Sequence, residues 1–199
     1  MILYICLFVI SYLSGAVPFS FLLVKLIRGI DLREVGSGNV GATNAGRVLG
    51  KWGFVVAFCC DMLKAFIPLY VFRQIPGIDG NIILFCALFI ILGHTYTVFL
   101  RFKGGKGVAT GVGVFMALSP YSLFWALLTF FLVITVFRIV SLGSIISAVI
   151  LMISVWLNSD WFGLQIFTAV VVLFVIYKHK SNIVRIMQGK EHKIGERVV

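Results

Sequence analysis

The chain has 199 residues, 61% of them hydrophobic and 12% charged, with a mean hydropathy of +1.10. This balance excludes an ordinary soluble domain and points to an integral membrane protein. The excess of 17 Lys and Arg over 7 Asp and Glu fits cytoplasmic loops under the positive-inside rule. Nucleic acid is excluded as a partner, because no solvated basic domain fits among the apolar runs.

Met1 to about Leu26 is apolar except for Ser11, Ser14, Ser20 and an interruption at Gly15 and Pro18, and a span needs about 20 such residues. This is the first helix, kinked at Pro18. It lacks a basic segment ahead of the apolar stretch, so it is expected to remain as a membrane helix and not to be removed as a signal peptide. A polar loop follows from Lys25 to Lys51. Trp52 to about Phe72 is a second span whose Asp61 and Lys64 stand one helical turn apart, which suits either a proton relay or a structural pair. After a turn from Arg73 to Asn81, Ile82 to Leu100 makes a third span, and its His94 reads as an interhelical hydrogen-bonding group.

A second basic island runs from Arg101 to Gly107. Val108 to Phe137 is then apolar for thirty residues and broken at Ser119-Pro120, so two spans are expected, the first one short. Ser144 to Leu157 and Trp161 to Tyr177 are the sixth and seventh, and a basic tail ends the chain. Fifteen of the seventeen basic residues, Arg197 in the tail among them, fall on one side of this layout; Arg73 falls on the other and Lys64 within a span. The expected architecture is an all-α integral membrane protein, a seven-transmembrane-helix bundle forming one domain over 1–199. Its N-terminus lies outside and its C-terminus in the cytoplasm; five spans is the alternative.

The polar islands carry the chemistry. From Gly36 the chain reads Gly-Ser-Gly-Asn-Val-Gly-Ala-Thr-Asn-Ala-Gly-Arg. Backbone N–H groups at Gly36, Gly38 and Gly41, with Ser37, Asn39, Thr43, Asn44 and Arg47 beside them, are what a phosphate asks for. The glycine pattern resembles a dinucleotide fingerprint, but no strand precedes it and no βαβ unit surrounds it, so that reading fails. Gly104, Gly105, Lys106 and Gly107 lack the upstream glycine and the Ser or Thr of a nucleotide-binding P-loop, yet such a turn still suits a phosphate. The competing reading is close helix packing, which fits Gly46 to Gly50 and Gly111 to Gly113 better. Four cysteines lie inside apolar runs without metal-site spacing, and neither a metal nor a cofactor is expected. His179 and Asn182, just past the last span, are placed to meet a substrate at the interface.

Taken together, Gly36 to Arg47, then Phe-Lys-Gly-Gly-Lys-Gly-Val-Ala-Thr from Phe102, then His-Lys-Ser-Asn-Ile-Val-Arg from His179 with Gly189-Lys190-Glu191-His192-Lys193, resemble the acyl-phosphate-dependent glycerol-3-phosphate acyltransferase family of bacteria. The likeness covers nearly the whole chain; Lys190 stands where the family usually has Thr. The His-x4-Asp motif of the more widespread acyltransferases is absent: Phe99, Val184 and Arg197 stand five residues after the three histidines.

The resemblance implies transfer of an acyl chain from acyl phosphate to the 1-hydroxyl of glycerol 3-phosphate at the cytoplasmic face of the bacterial inner membrane. Membrane lipids surround the protein, and an upstream enzyme must supply the acyl phosphate. In that scheme Arg47 and Lys106 clamp phosphate, and Ser37, Asn39, Thr43 and the glycines line the same pocket. His179, Asn182 and Ser144 handle the acceptor, while Glu191 and Lys193 are structural, as a local ion pair. The proton of the attacking hydroxyl goes either to His179 or to a substrate phosphate oxygen.

Overall fold

The computed structural model describes residues 1–195, all-helical with no β-strand among them. Arg197, counted above with the basic tail, lies outside the described residues. The apolar runs become helices where expected, with differences that trace to local chemistry. The first run breaks at Val17-Pro18 into α1 (Ile2–Ala16) and α2 (Phe19–Arg28), because proline supplies no N–H and disfavours a helical residue before it. The expected polar loop from Lys25 to Lys51 contains a short helix, α3 (Ala42–Leu49), bounded by Gly41 and Gly50. Next come α4 (Lys51–Phe72), α5 (Gly80–Thr95) and a single 3₁₀ turn, Val98–Leu100. The remainder is α6 (Val108–Leu118), α7 (Pro120–Phe137), α8 (Val140–Asn158), α9 (Phe162–Lys178) and α10 (Lys180–Met187).

Among the described residues, five helical segments are long and apolar enough to cross a membrane, and the pair α9 and α10, bent by 56°, is a sixth if counted as one span. The expected short fourth span is α6. Its 11 residues rise about 16 Å, well short of a hydrocarbon layer about 30 Å thick, so seven crossings are not reached.

The chain divides into two compact units, residues 1–117 and 118–195. In the first, α1 lies against α5 at backbone distance. A methyl group on Gly15 would sit 2.1 Å from the Ile90 carbonyl oxygen, and one on Gly93 would sit 2.2 Å from that of Tyr12. Small residues are what permit such a crossing, since lipid gives no hydrophobic incentive for helices to associate. Gly113 of α6 approaches the Met62 carbonyl of α4 in the same way, and Arg73 donates to the Ala117 carbonyl at the end of α6. The carbonyls left open at the end of α1 are capped from elsewhere, Ala16 by Thr97 Oγ1 at 2.6 Å and Val17 by Lys64 Nζ at 2.7 Å.

Lys64 pairs with Asp61 at 2.8 Å, and Asp61 accepts from Ser20 Oγ at 2.6 Å. The His94 Nδ1 atom stands 3.0 Å from Lys64 Nζ. The sequence left relay and structural pair open for Asp61 and Lys64; the geometry adds His94 as the interhelical partner.

In the second unit α8 is the central helix, packed against α7, α9 and α10. Gly143 lets Phe130 and Ile134 of α7 press onto it. Phe124, Phe131, Leu132 and Val136 of α7 stay exposed, as a lipid-facing surface requires.

Candidate active site

In the first unit the segment from Asp31 to Gly41 is tied to itself before it can hold anything else. Asn44 of α3 is fully buried; its Oδ1 accepts from the Ser37 N–H at 3.1 Å, and its Nδ2 donates to the carbonyls of Leu32 and Val35 at 3.1 and 2.9 Å. Gly41 N–H donates to Asn39 Oδ1 at 3.0 Å and Gly38 N–H to the Val35 carbonyl at 3.0 Å. Gly36 and Gly38 take left-handed φ values of 59° and 68°, which glycine adopts without a steric penalty. Arg33 grips Asp31, and its hydrogen bonds hold that carboxyl at about 2.

The loop delivers the chain into α3, whose Ala45, Val48 and Leu49 pack with Val24, Leu32 and Ala57 in a buried cluster. A methyl group on Gly46 would lie 2.7 Å from Phe54 Cβ of α4, so α3 is pressed onto α4. That leaves Thr43 and Arg47, one turn apart, on the half-buried face. Asn44 was expected among the phosphate-binding groups. The structure places its amide in the bonds that hold the loop presenting Ser37.

The second island is anchored as firmly. Phe102 N–H donates to the Thr97 carbonyl at 2.8 Å, Gly104 N–H to Thr95 at 3.0 Å and Gly105 N–H to His94 at 3.1 Å. Arg101 and Phe102 hold left-handed φ values of 54° and 62° without being glycine, a conformation that persists only where neighbours impose it. Gly104 and Gly105 were expected to line the phosphate pocket; in the structure both N–H groups bond to α5 carbonyls, and close packing requires glycine at both positions. Gly107, with φ of 85°, turns the chain into α6, and Lys106 is left half-buried between the anchored glycines and the helix.

Gly104→Ala is expected to cost more than Gly105→Ala. The added methyl meets the His94 backbone oxygen at 2.0 Å in the first case and the His94 side-chain ring at 2.2 Å in the second. Thermal unfolding in detergent, with turnover of the folded fraction, checks the order.

In the second unit the tail folds back on the start of α8. Glu191, buried, accepts from Ser141 Oγ at 2.8 Å, from Asn182 Nδ2 at 2.5 Å and from Arg185 Nε at 2.7 Å. Burial alone would raise this carboxyl, but the three hydrogen bonds outweigh it and its pKa ends below the ordinary 4.5. The structural reading of Glu191 fits, though its ionic partner is Arg185; Lys193 stays exposed. Sequence reasoning missed Ser141 and Arg185. The only signal was spacing, Ser141 three residues before Ser144 on α8 and Arg185 three after Asn182 on α10.

Ile194 and Arg138 close the knot through their backbones at 2.8 Å. Ser144 Oγ bonds back to the Val140 carbonyl at 2.9 Å. His179 caps α9 and is buried, with Nδ1 2.8 Å from the Val175 carbonyl. A carbonyl only accepts, so Nδ1 carries the proton and, in the neutral ring, Nε2 carries the lone pair. Among the described residues no three His, Cys, Asp or Glu side chains gather as a metal set would.

Fold and site together define an integral membrane protein with anchored cationic loops. Comparison with known proteins makes this specific. The family model for glycerol-3-phosphate acyltransferase matches residues 5–189, and the chain belongs to that family. It is 43% identical over 187 residues to the glycerol-3-phosphate acyltransferase of Desulforamulus reducens, covering 94% of this chain and 93% of the relative. To that of Aquifex aeolicus it is 40% identical, covering 94% and 97%. Among solved structures it is similar to the integral membrane glycerol 3-phosphate acyltransferase PlsY (YgiH). The glycerol 3-phosphate form matches with a TM-score of 0.91 at 40% identity, covering 96% of each chain. The lysophosphatidic acid form matches with a TM-score of 0.89 at 38% identity, covering 97% and 96%.

Proposed function

We propose that the chain transfers a fatty acyl group from acyl phosphate to the 1-hydroxyl of sn-glycerol 3-phosphate, giving lysophosphatidic acid and inorganic phosphate. The observation that carries this is the end-to-end likeness to a protein solved in glycerol 3-phosphate and lysophosphatidic acid forms. The acyl donor follows from the motif resemblance at Gly36 to Arg47 and Phe102 to Thr110.

The acceptor oxygen bonds to the acyl carbon, the bond from that carbon to the phosphate oxygen breaks, and phosphate departs with both electrons. Because the donor is a mixed anhydride with a good leaving group, no nucleophile on the protein is needed. Catalysis then rests on orientation and on stabilising negative charge on the carbonyl oxygen and the departing phosphate. Arg47, able to make paired hydrogen bonds, and Lys106 take the phosphate charge, with Ser37, Asn39 and Thr43 beside Arg47. His179 accepts the hydroxyl proton at Nε2, and Asn182 and Ser144 serve the acceptor.

The chain acts as a single transmembrane acyltransferase domain over 1–199. The lysine and arginine asymmetry supports an N-terminus outside, a C-terminus in the cytoplasm and catalysis at the cytoplasmic face of the bacterial inner membrane. A separate enzyme must make the acyl phosphate.

Purified protein in lipid, given acyl phosphate and glycerol 3-phosphate, is expected to release phosphate and lysophosphatidate one to one. Product from an acyl thioester but not from acyl phosphate would overturn the donor assignment, and no product from either would overturn the enzyme. With His179→Gln, loss of kcat supports the base; a rise in KM alone transfers that role to the substrate phosphate.

A further inference from the structure

One buried ammonium links three helical segments of the first unit to the loop that carries Lys106. As an ammonium, Lys64 has three N–H donors, and three acceptors surround it: Asp61 Oδ1 at 2.8 Å, the Val17 carbonyl at 2.7 Å and His94 Nδ1 at 3.0 Å. An ammonium only donates, so Nδ1 of His94 is the lone-pair nitrogen and the ring proton sits on Nε2. Asp61, Lys64, His94 and Ser20 are all buried.

The opposite edge of the ring lies against the glycine-rich loop. The three atoms nearest a methyl group placed on Gly105 are His94 Nε2, Cε1 and Cδ2. The loop backbone holds the same residue, Gly105 N–H donating to the His94 carbonyl at 3.1 Å. Lys106 is the next residue along the chain.

The imidazole is the third acceptor of this ammonium, and through its opposite edge it also links the buried pair to the loop. We propose that Lys64 and His94 are positioning residues for Lys106, Lys64 fixing the His94 ring and the ring fixing the height of the loop at Gly105. This rests on the assignment of Lys106 as a phosphate clamp.

The test is a double-substitution cycle on the full chain in lipid, with phosphate release from acyl phosphate as the readout. His94→Asn keeps an acceptor near Nδ1 and removes the ring edge beneath the loop. It is expected to lower turnover by about tenfold or more, to reproduce the KM-against-kcat pattern of Lys106→Met, and to leave Tm near that of the parent. In the Lys106→Met background the same change is expected to alter the residual rate by less than about twofold, since residues acting as one are not additive.

Full activity in His94→Asn overturns the proposal, as does an equal loss in both backgrounds. If Lys106→Met alone keeps its activity, the clamp assignment fails instead. Should His94→Asn not fold, the charge-neutral pair Asp61→Asn with Lys64→Gln is read in the same cycle; non-additivity with Lys106→Met supports the proposal and additivity overturns it.

Discussion

Arg47→Ala is expected to lower kcat/KM by about 10²- to 10³-fold, the usual cost of losing a preorganised group that stabilises transition-state charge, while the fold survives. The reason for both halves is α3. Its buried face is Ala42, Asn44, Ala45, Val48 and Leu49, all of which the substitution leaves in place, and Arg47 lies on the half-buried face. Arg47→Lys should recover only part of the loss, because an ammonium keeps the charge but not the planar fork that meets two phosphate oxygens together. Phosphate release at saturating acyl phosphate, with folding checked by thermal unfolding, decides the matter. Activity within about twofold of the parent would remove Arg47 from the reaction and leave a scaffold role for the loop.

The second large effect is expected at Glu191. Removing its carboxylate in Glu191→Ala leaves Ser141, Asn182 and Arg185 without their shared acceptor. The cost is about 2–4 kcal/mol, in the range for buried donors deprived of a charged partner. The lesion should reach activity too, because Asn182 is one of the three residues released. Glu191→Gln should be milder, since its amide oxygen can still accept.

The same carboxyl makes an acid prediction whose sign is fixed. Its folded pKa lies below the ordinary 4.5, so its contribution is complete above that value and disappears as the pH falls through the folded pKa. Thermal unfolding from pH 7 down to pH 3 should show the parent losing stability below about pH 4.5 relative to Glu191→Gln, and parallel curves would refute this.

The membrane helices were legible because apolar runs of this length have few alternatives. The ends and breaks were less so. Nothing in Ala42 to Leu49 announces a helix, since its residues are a mixture of small, polar and apolar types. Packing of Ala45, Val48 and Leu49 beneath Val24 and Leu32 decides it.

The two glycine-rich islands look alike in sequence and differ in structure. At Gly104 and Gly105 the deciding atoms are carbonyls of His94 and Thr95, some ten residues upstream, where a linear reading has no reason to look. The partner of Glu191 was misassigned for a similar reason. Lys193 is nearer in sequence, but Gly189, at a left-handed φ of 66°, reverses the chain so that the carboxylate returns to α10. Which neighbours hold the polar islands in place had to come from three dimensions.

The spacing of Asp61 and Lys64 also bears on how the protein is made. An isolated ammonium entering hydrocarbon is costly, but these two charges stand three residues apart on one helix and can neutralise each other without help from another segment. Apart from Lys51 at its first turn, helix α4 can thus leave the insertion machinery without net charge. The contacts with Ser20, Val17 and His94 form only when helices associate within the bilayer, so they reward correct assembly without being a condition of entry.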